Sequence, residues 1–313
     1  MAQAILVAII AGVATALMSG LLTPGVAPVI FLSLLAPAPL FIAGLGWHPL
    51  VAALGGLIAG LVVNLATGSP AALMVTGMFA LPAFALTLLG ERLFSEDAGR
   101  PDKDGVDLGR LAVTLVLYVG IAGVAATMLV EPDFAALQAR IRRAVEVVFA
   151  MAMPGYKPAP AGGQPADLAR VLDFITGIML PVSALIAIAT TIMSGALALQ
   201  IVERAGRLAF NRPDLRRFRL PGGALILMGL AFLVGIRTGY VGLLGEIVAV
   251  GLAFAYMLQG LAVVHARTTG TGGRGLILVA SWASIVILSF PALIFIAIGM
   301  ADHLMDFRRR AAR

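Results

Sequence analysis

Apolar positions in this chain come in long unbroken runs separated by shorter polar stretches: 4–22, 26–44, 50–66, 71–90, 111–130, 171–202, 222–236, 240–264 and 276–300. A helix rises about 1.5 Å per residue, so about 20 apolar residues cross the roughly 30 Å of hydrocarbon in a bilayer. The runs are continuous instead of alternating every second residue, which selects helices over the strands of a membrane barrel. The pattern predicts an all-α polytopic bundle of about eight to nine hydrophobic segments in a single integral membrane domain, 1–313. The first run lacks a basic leader and further spans follow at once, so it reads as a retained helix and not a cleaved signal.

Within the runs, proline and small residues set the expected irregularities. Pro37 and Pro39 remove backbone donors and clash one turn back, predicting a kinked or unwound stretch at 36–39. Such backbone persists at membrane depth only against protein or a water-filled cavity; a simple helix end before Trp47-His48-Pro49 is the alternative. Gly56-xxx-Gly60 marks a close-packing face, and Asn64 is a helix cap, an interhelical hydrogen bond or a ligand contact. Pro82 and Pro181 predict bends. Ser183, Thr190 and Ser194 share a face on which hydroxyls usually bond their own helix carbonyls.

The polar intervals complete the plan. Residues 91–110 mix both signs of charge with Gly and Pro and read as a polar loop. In 131–170, Phe134, Leu137, Ile141, Val145 and Val148 recur at helical spacing against Gln138, Arg140, Arg142, Arg143 and Glu146, an amphipathic helix expected to lie in the interface plane against lipid, followed by a Pro/Gly-rich connector. The interval 203–221 carries Arg204, Arg207, Arg212, Arg216, Arg217 and Arg219, the strongest positive-inside signal in the chain. Placing 91–110 and 203–221 in the cytoplasm of a bacterial inner membrane leaves 131–170 outside. If every run crosses, the basic tail falls opposite the basic loop; one re-entrant run among the last three removes the conflict, with 222–236 the candidate.

Composition confirms the solvent. The chain is 60% hydrophobic and 12% charged with a mean hydropathy of +1.02, against about 45–50% apolar and about 25% charged for soluble domains. A net charge of +6 is carried mainly by connecting segments and the C-terminus, which fits topology and anionic head groups better than nucleic acid. The absence of Cys excludes disulfides and thiolate metal sites. No phosphate-binding Gly-x-x-x-x-Gly-Lys, His-Glu-x-x-His or Gly-x-Ser-x-Gly motif occurs. Gly270-Thr271-Gly272-Gly273-Arg274-Gly275 has dinucleotide spacing without a preceding strand and reads as a turn. His48, His265 and His303 lie far apart in sequence, and Asp302, Asp306 and Arg309 read as a local ion pair. The expectation is a protein without metal, cofactor or enzymatic site.

Glu246 is the leading chemical candidate, because a carboxylate inside a membrane helix costs about 2.5–3.5 kcal/mol on insertion scales. Proton coupling, solute coordination and gating are its functional readings; pairing with an arginine such as Arg237, or protonation beside a neighbour's hydroxyl, is the structural alternative. Tyr256, Gln259 and Asn64 are the polar groups that could share a cavity with it, near the Pro37/Pro39 break. Tyr256 and Gln259 fall about 80° and about 140° round the helix from Glu246.

Pro37-Ala38-Pro39-Leu40 with Gly44, Pro181, Arg219-Leu220-Pro221, Gln259-Gly260-Leu261 and Asp306-Phe307-Arg308 give the chain a resemblance. It resembles the YybS-like family of uncharacterised bacterial multi-pass membrane proteins, which in turn look like the substrate-binding S components of energy-coupling-factor vitamin transporters with extra helices. The resemblance implies a solute-binding or lipid-facing membrane component with no ATPase of its own. Two functions follow as expectations: a solute-binding or transport component, or a non-transporting envelope scaffold whose basic loops and 131–153 helix engage lipids or membrane-protein partners.

Overall fold

The computed structural model describes residues 2–19, 32–95, 101–152 and 166–310, and these are helices and connecting turns with no strand among them. Five helical segments are long and apolar enough to cross a membrane: Pro49–Thr67, Ala71–Phe94, Gly105–Val130, Asp167–Arg204 and Gly239–Arg267. Four apolar helices are shorter: Ala2–Met18 (α1), Ala224–Gly235 (α9), Arg274–Leu288 (α11) and Pro291–Met305 (α12). The described residues thus give five full-length helices where eight to nine spans were expected; the other apolar runs form helices shorter than a full crossing or lie partly outside the described residues.

The N-terminal group comprises α1, α2 (Ala38–Gly46), α3 (Pro49–Thr67), α4 (Ser69–Val75) and α5 (Leu81–Ser95). Pro37 is buried in the turn that precedes α2, where successive 1→4 backbone hydrogen bonds tighten the chain, and Pro39 lies in the first turn of α2. The prolines thus start a helix whose first amides need no intrahelical partner. Between α4 and α5 one wide π turn covers Thr76–Ala80, next to Pro82, whose ring removes an amide and crowds the preceding turn. Gly55 and Gly56 let α1 and Ala80 approach the α3 backbone.

The second group holds α6 (Pro101–Val130), α7 (Phe134–Ala152), α8 (Ala166–Arg204), α9 and α10 (Gly239–Arg267). The stretch 91–110, expected as a loop, is helical at both ends: α5 runs through Ser95 and α6 begins at Pro101. There Gly105 and Gly109 abut the carbonyls of Arg217 and Arg219, an approach that a side chain at either position would block. The amphipathic α7 forms where its periodicity predicts. It packs along the N-terminal part of α8, with Leu137 and Val145 buried and Arg142 paired to Asp173, so protein covers part of the apolar face expected to meet lipid. Pro181 sits inside α8, a helix of 39 residues or about 58 Å. Ser183 and Thr190 bond the carbonyls of Met179 and Ala187 as expected, whereas the buried Ser194 hydroxyl has no partner among the described residues.

α10 is the axis of the molecule: it touches α6, α8, α9, α11 and α12. With α9 it forms a hairpin, tied at one end where the Leu220 N–H donates to Gln259 and closed at the other where Gly242 lies against the Arg237 carbonyl. The run 222–236, the expected re-entrant candidate, therefore connects the two ends of this hairpin. The run 276–300 does not form a single span. It breaks at Ser289, which takes φ 58°, into α11 and α12 of 15 residues each. α12 crosses α10 where Gly260 and Gly299 bring the backbones together, and it delivers the C-terminal tail to the basic loop. Loop and tail thus occupy the same end, resolving the charge conflict through the last run.

Gly299→Val should disrupt this crossing, since a Cβ there meets the Tyr256 backbone, whereas Gly229→Ala points into open space. Overpacking of this kind costs about 1–3 kcal/mol. Thermal unfolding in detergent should show a lowered midpoint for the first variant and wild-type behaviour for the second.

Candidate functional site

Three of the short motifs separated in sequence, Arg219-Leu220-Pro221, Gln259-Gly260-Leu261 and Asp306-Phe307-Arg308, converge on one buried polar cluster. Gln259, fully buried on α10, accepts a hydrogen bond from Leu220 N–H at 2.9 Å and donates from Nε2 to Asp302 Oδ2 at 3.0 Å. Asp302, on α12 and likewise buried, receives the Arg308 guanidinium on the same oxygen at 2.7 Å. Arg308 also donates to the carbonyls of Arg216 (2.9 Å) and Phe218 (3.1 Å). Beside it Arg219 pairs with Asp306 at 3.2 Å, and its N–H donates to Gly105 O. Asp306 takes the left-handed conformation at φ 51°, which turns the chain sharply enough for Arg308 to fold back.

One backbone amide, one primary amide, one carboxylate and one guanidinium thus form a continuous chain across four segments. Each buried group would cost about 1–3 kcal/mol if left unpaired. Next to this chain the Tyr256 and His303 rings meet edge-on with centroids 5.7 Å apart, and His303 Nε2 lies 3.3 Å from Gly222 O. The Tyr256 hydroxyl, Asp302 Oδ1 and His303 Nδ1 are buried without a hydrogen-bond partner among the described residues.

The basic loop is held at its other end as well. Arg207 stacks over Trp47 at 4.0 Å and donates to Gly46 O, while Phe210 packs on Phe94. Between these anchors Arg212 pairs with Glu203, and Asp214 caps a 3-10 turn, Leu215–Arg217, through Arg216. The side-chain hydrogen bond from Arg216, reinforced by its charge and that of Arg217, holds the Asp214 carboxyl below the usual carboxylate range.

The residues expected to share a cavity do not converge. Tyr256 and Gln259 belong to the polar cluster. Asn64 is exposed near the end of α3, and Pro37 and Pro39 shape the start of α2 in the N-terminal group. Glu246 is exposed on the outer flank of α10 beside Gly235 of α9, with no ion pair or hydrogen bond among the described residues. The pairing with Arg237 is absent: Arg237 lies in the turn at the far end of the α9/α10 hairpin, likewise unpaired among the described residues. Of the expected local Asp302/Asp306/Arg309 arrangement, the Arg309 side chain lies outside the described residues; the turn at Asp306 lets Asp302 pair with Arg308 and Asp306 with Arg219. The residues missed by sequence reasoning, Asp302 and Arg308, carried one usable signal: an aspartate inside the apolar segment 291–305 has to be satisfied by something brought to it.

No group of His, Cys, Asp or Glu that could hold a metal occurs among the described residues. Fold and cluster together define an integral membrane protein in which one set of buried polar groups joins helices, basic loop and tail at one end of the bundle. Residues 13–303 match the family model described as "Predicted membrane protein (DUF2232)", and the chain belongs to that family. No curated protein and no solved structure matches it.

Removing Arg308 leaves the Asp302 carboxylate buried without its cation, a change that costs about 3–5 kcal/mol when a buried pair is broken. Arg308→Ala should lower the unfolding midpoint in detergent and speed tryptic cleavage within 212–219 by loosening the loop, with Asp302→Asn/Arg308→Ala less impaired than the single variant. For Asp214 the folded pKa is depressed, so its contribution is present above the ordinary value of about 3.9 and is lost as pH falls through the lowered one. Amide exchange in 215–218 should accelerate only below about pH 4, and Asp214→Asn should remove that dependence.

Proposed function

We propose that the protein is a non-catalytic, membrane-embedded binding subunit of the bacterial inner membrane, which docks a second integral membrane protein against the outer flank of α10. The observation that carries this reading is Glu246: exposed on a membrane-spanning helix, about 9 Å along the axis from Tyr240 at the membrane boundary, and unpaired among the described residues. A carboxylate on a lipid-facing surface is costly unless a neighbour supplies a cation or a hydrogen-bond donor. The matching surface is a transmembrane helix carrying Arg, Lys or a hydroxyl at that depth. The basic loop, fixed at both ends, orients this subunit with 203–221 in the cytoplasm and gives anionic lipid a rigid positive face.

The solute-binding reading, suggested by the resemblance to S components, requires Glu246, Tyr256, Gln259 and Asn64 to face one space. Their placement on an outer flank, in a filled polar cluster and on a separate helix favours the scaffold.

The test places a photo-crosslinking residue at Val250, one turn along α10 from Glu246. Crosslinking to a membrane protein that is lost in Glu246→Leu and kept in Glu246→Asp supports docking through the carboxylate. Equal crosslinking in Glu246→Leu, or a Glu246-dependent thermal shift on adding a small solute, would replace this reading with another.

A further inference from the structure

The opposite flank of the α9/α10 hairpin carries a separate feature. A groove of about 640 Å³, open to the outside, is lined by Leu230, Leu233, Val234 and Val241, with Arg237 and Thr238 in its wall. The three α9 leucine and valine positions recur at spacings of three and four, so they form one apolar strip that leads to the guanidinium. Val241 and Glu246 are five residues apart, about 140° round α10, so this groove and the carboxylate flank do not overlap.

The turn that presents Arg237 is rigidly built. Its N–H donates to Val234 O at 3.0 Å, its carbonyl abuts Gly242, and Gly239 takes φ 84°, a conformation that L side chains rarely adopt. Close by, the Tyr240 hydroxyl donates to the Glu131 carbonyl and the Tyr240 ring packs edge-on against Phe134 at 5.2 Å. Paired aromatics at the end of a span mark the head-group level of the bilayer. Arg237 therefore stands at head-group height above an apolar channel that descends toward the hydrocarbon, exposed and without an ion-pair partner among the described residues. Of the acids near this end, Glu131 offers its backbone carbonyl to Tyr240, which is about 100° round the helix from Val241, and Asp133 accepts from the Ala135 N–H.

We propose that this groove is a binding site for an anionic phospholipid, with the phosphate on Arg237 and one acyl chain along Leu230, Leu233, Val234 and Val241. Any lipid tail fits the apolar strip. The guanidinium selects among head groups, because its planar fork meets two phosphate oxygens at once and carries a full charge. Thr238 adds a hydroxyl donor beside it. The site is independent of Glu246, so its test stands apart from that of the docking reading.

The experiment is native mass spectrometry of the full chain released from detergent, after equilibration with phosphatidylglycerol or with phosphatidylcholine of identical acyl chains. The wild type should retain one phosphatidylglycerol in preference to phosphatidylcholine. Arg237→Ala should cut that retention roughly five-fold, the factor one basic residue contributes near an anionic surface, and Arg237→Lys should restore most of it. Val234→Trp, which fills the groove, should remove retention of both lipids while the unfolding midpoint stays at the wild-type value. Soluble glycerol phosphate should fail to displace the bound lipid. Equal retention of the two lipids by the wild type, unchanged retention in Arg237→Ala or in Val234→Trp, or displacement by glycerol phosphate would each overturn the assignment.

Discussion

A buried backbone N–H at the end of a membrane bundle has no water to bond, and the architecture around α10 is built on meeting that requirement once. The Leu220 amide is the group in question, and Gln259 supplies the acceptor. A primary amide then has a donor to place, which Asp302 accepts, and the carboxylate has a charge to balance, which Arg308 provides. Each link creates the need that the next one meets. The result joins the basic loop, the central helix, α12 and the C-terminal tail at one boundary of the membrane. A hydrophobic contact could hold these segments together but could not fix their register so narrowly, because apolar packing has no direction and hydrogen bonds do.

The glycines make this geometry accessible. Gly260 and Gly299 allow α10 and α12 to meet backbone to backbone, and Gly105 and Gly109 allow the loop carbonyls of Arg217 and Arg219 to lie on α6. In lipid no hydrophobic driving force pulls helices together, so close approach and dispersion contacts take over that role. Where the glycines are absent or face outward, as along α11, which buries no residue, the surface remains apolar and open to lipid. The contrast between a densely joined boundary and an open apolar flank explains why polar chemistry in this protein divides into two kinds. Gln259 and Asp302 are satisfied internally, whereas Glu246 and Arg237 face outward and depend on what surrounds the chain.

That division guides the functional reading. A transport site would gather its polar groups around an enclosed space, and the polar groups on α10 instead separate by face: Gln259 and Tyr256 toward α12, Glu246 outward. A binding subunit within a membrane assembly uses outward-facing polar groups of this kind to choose its neighbours, since in hydrocarbon one unmatched charge discriminates strongly between partners.

The periodicity and length of the apolar runs were enough to establish helices in lipid, the amphipathic character of 134–152 and the basic loop, because each depends only on local composition. The same information read 91–110 as a loop and 276–300 as a single span, since the loop carbonyls packed on the helix at 101–110 come from elsewhere in the chain and the positive-φ turn at Ser289 falls on a residue that is not glycine. The site was legible only in fragments. Gln259 and Tyr256 stood out as polar residues in an apolar segment, but their partners, Leu220 and His303, lie 39 and 47 residues away in the chain, and no local spacing encodes that pairing. Glu246 announced itself by its cost in lipid, yet whether it faced a cavity or the outside depended on where α9 packs. The chain alone thus determined the solvent and the elements; which polar groups meet was decided by tertiary packing, because a buried hydrogen bond is defined by two positions and the sequence displays them one at a time.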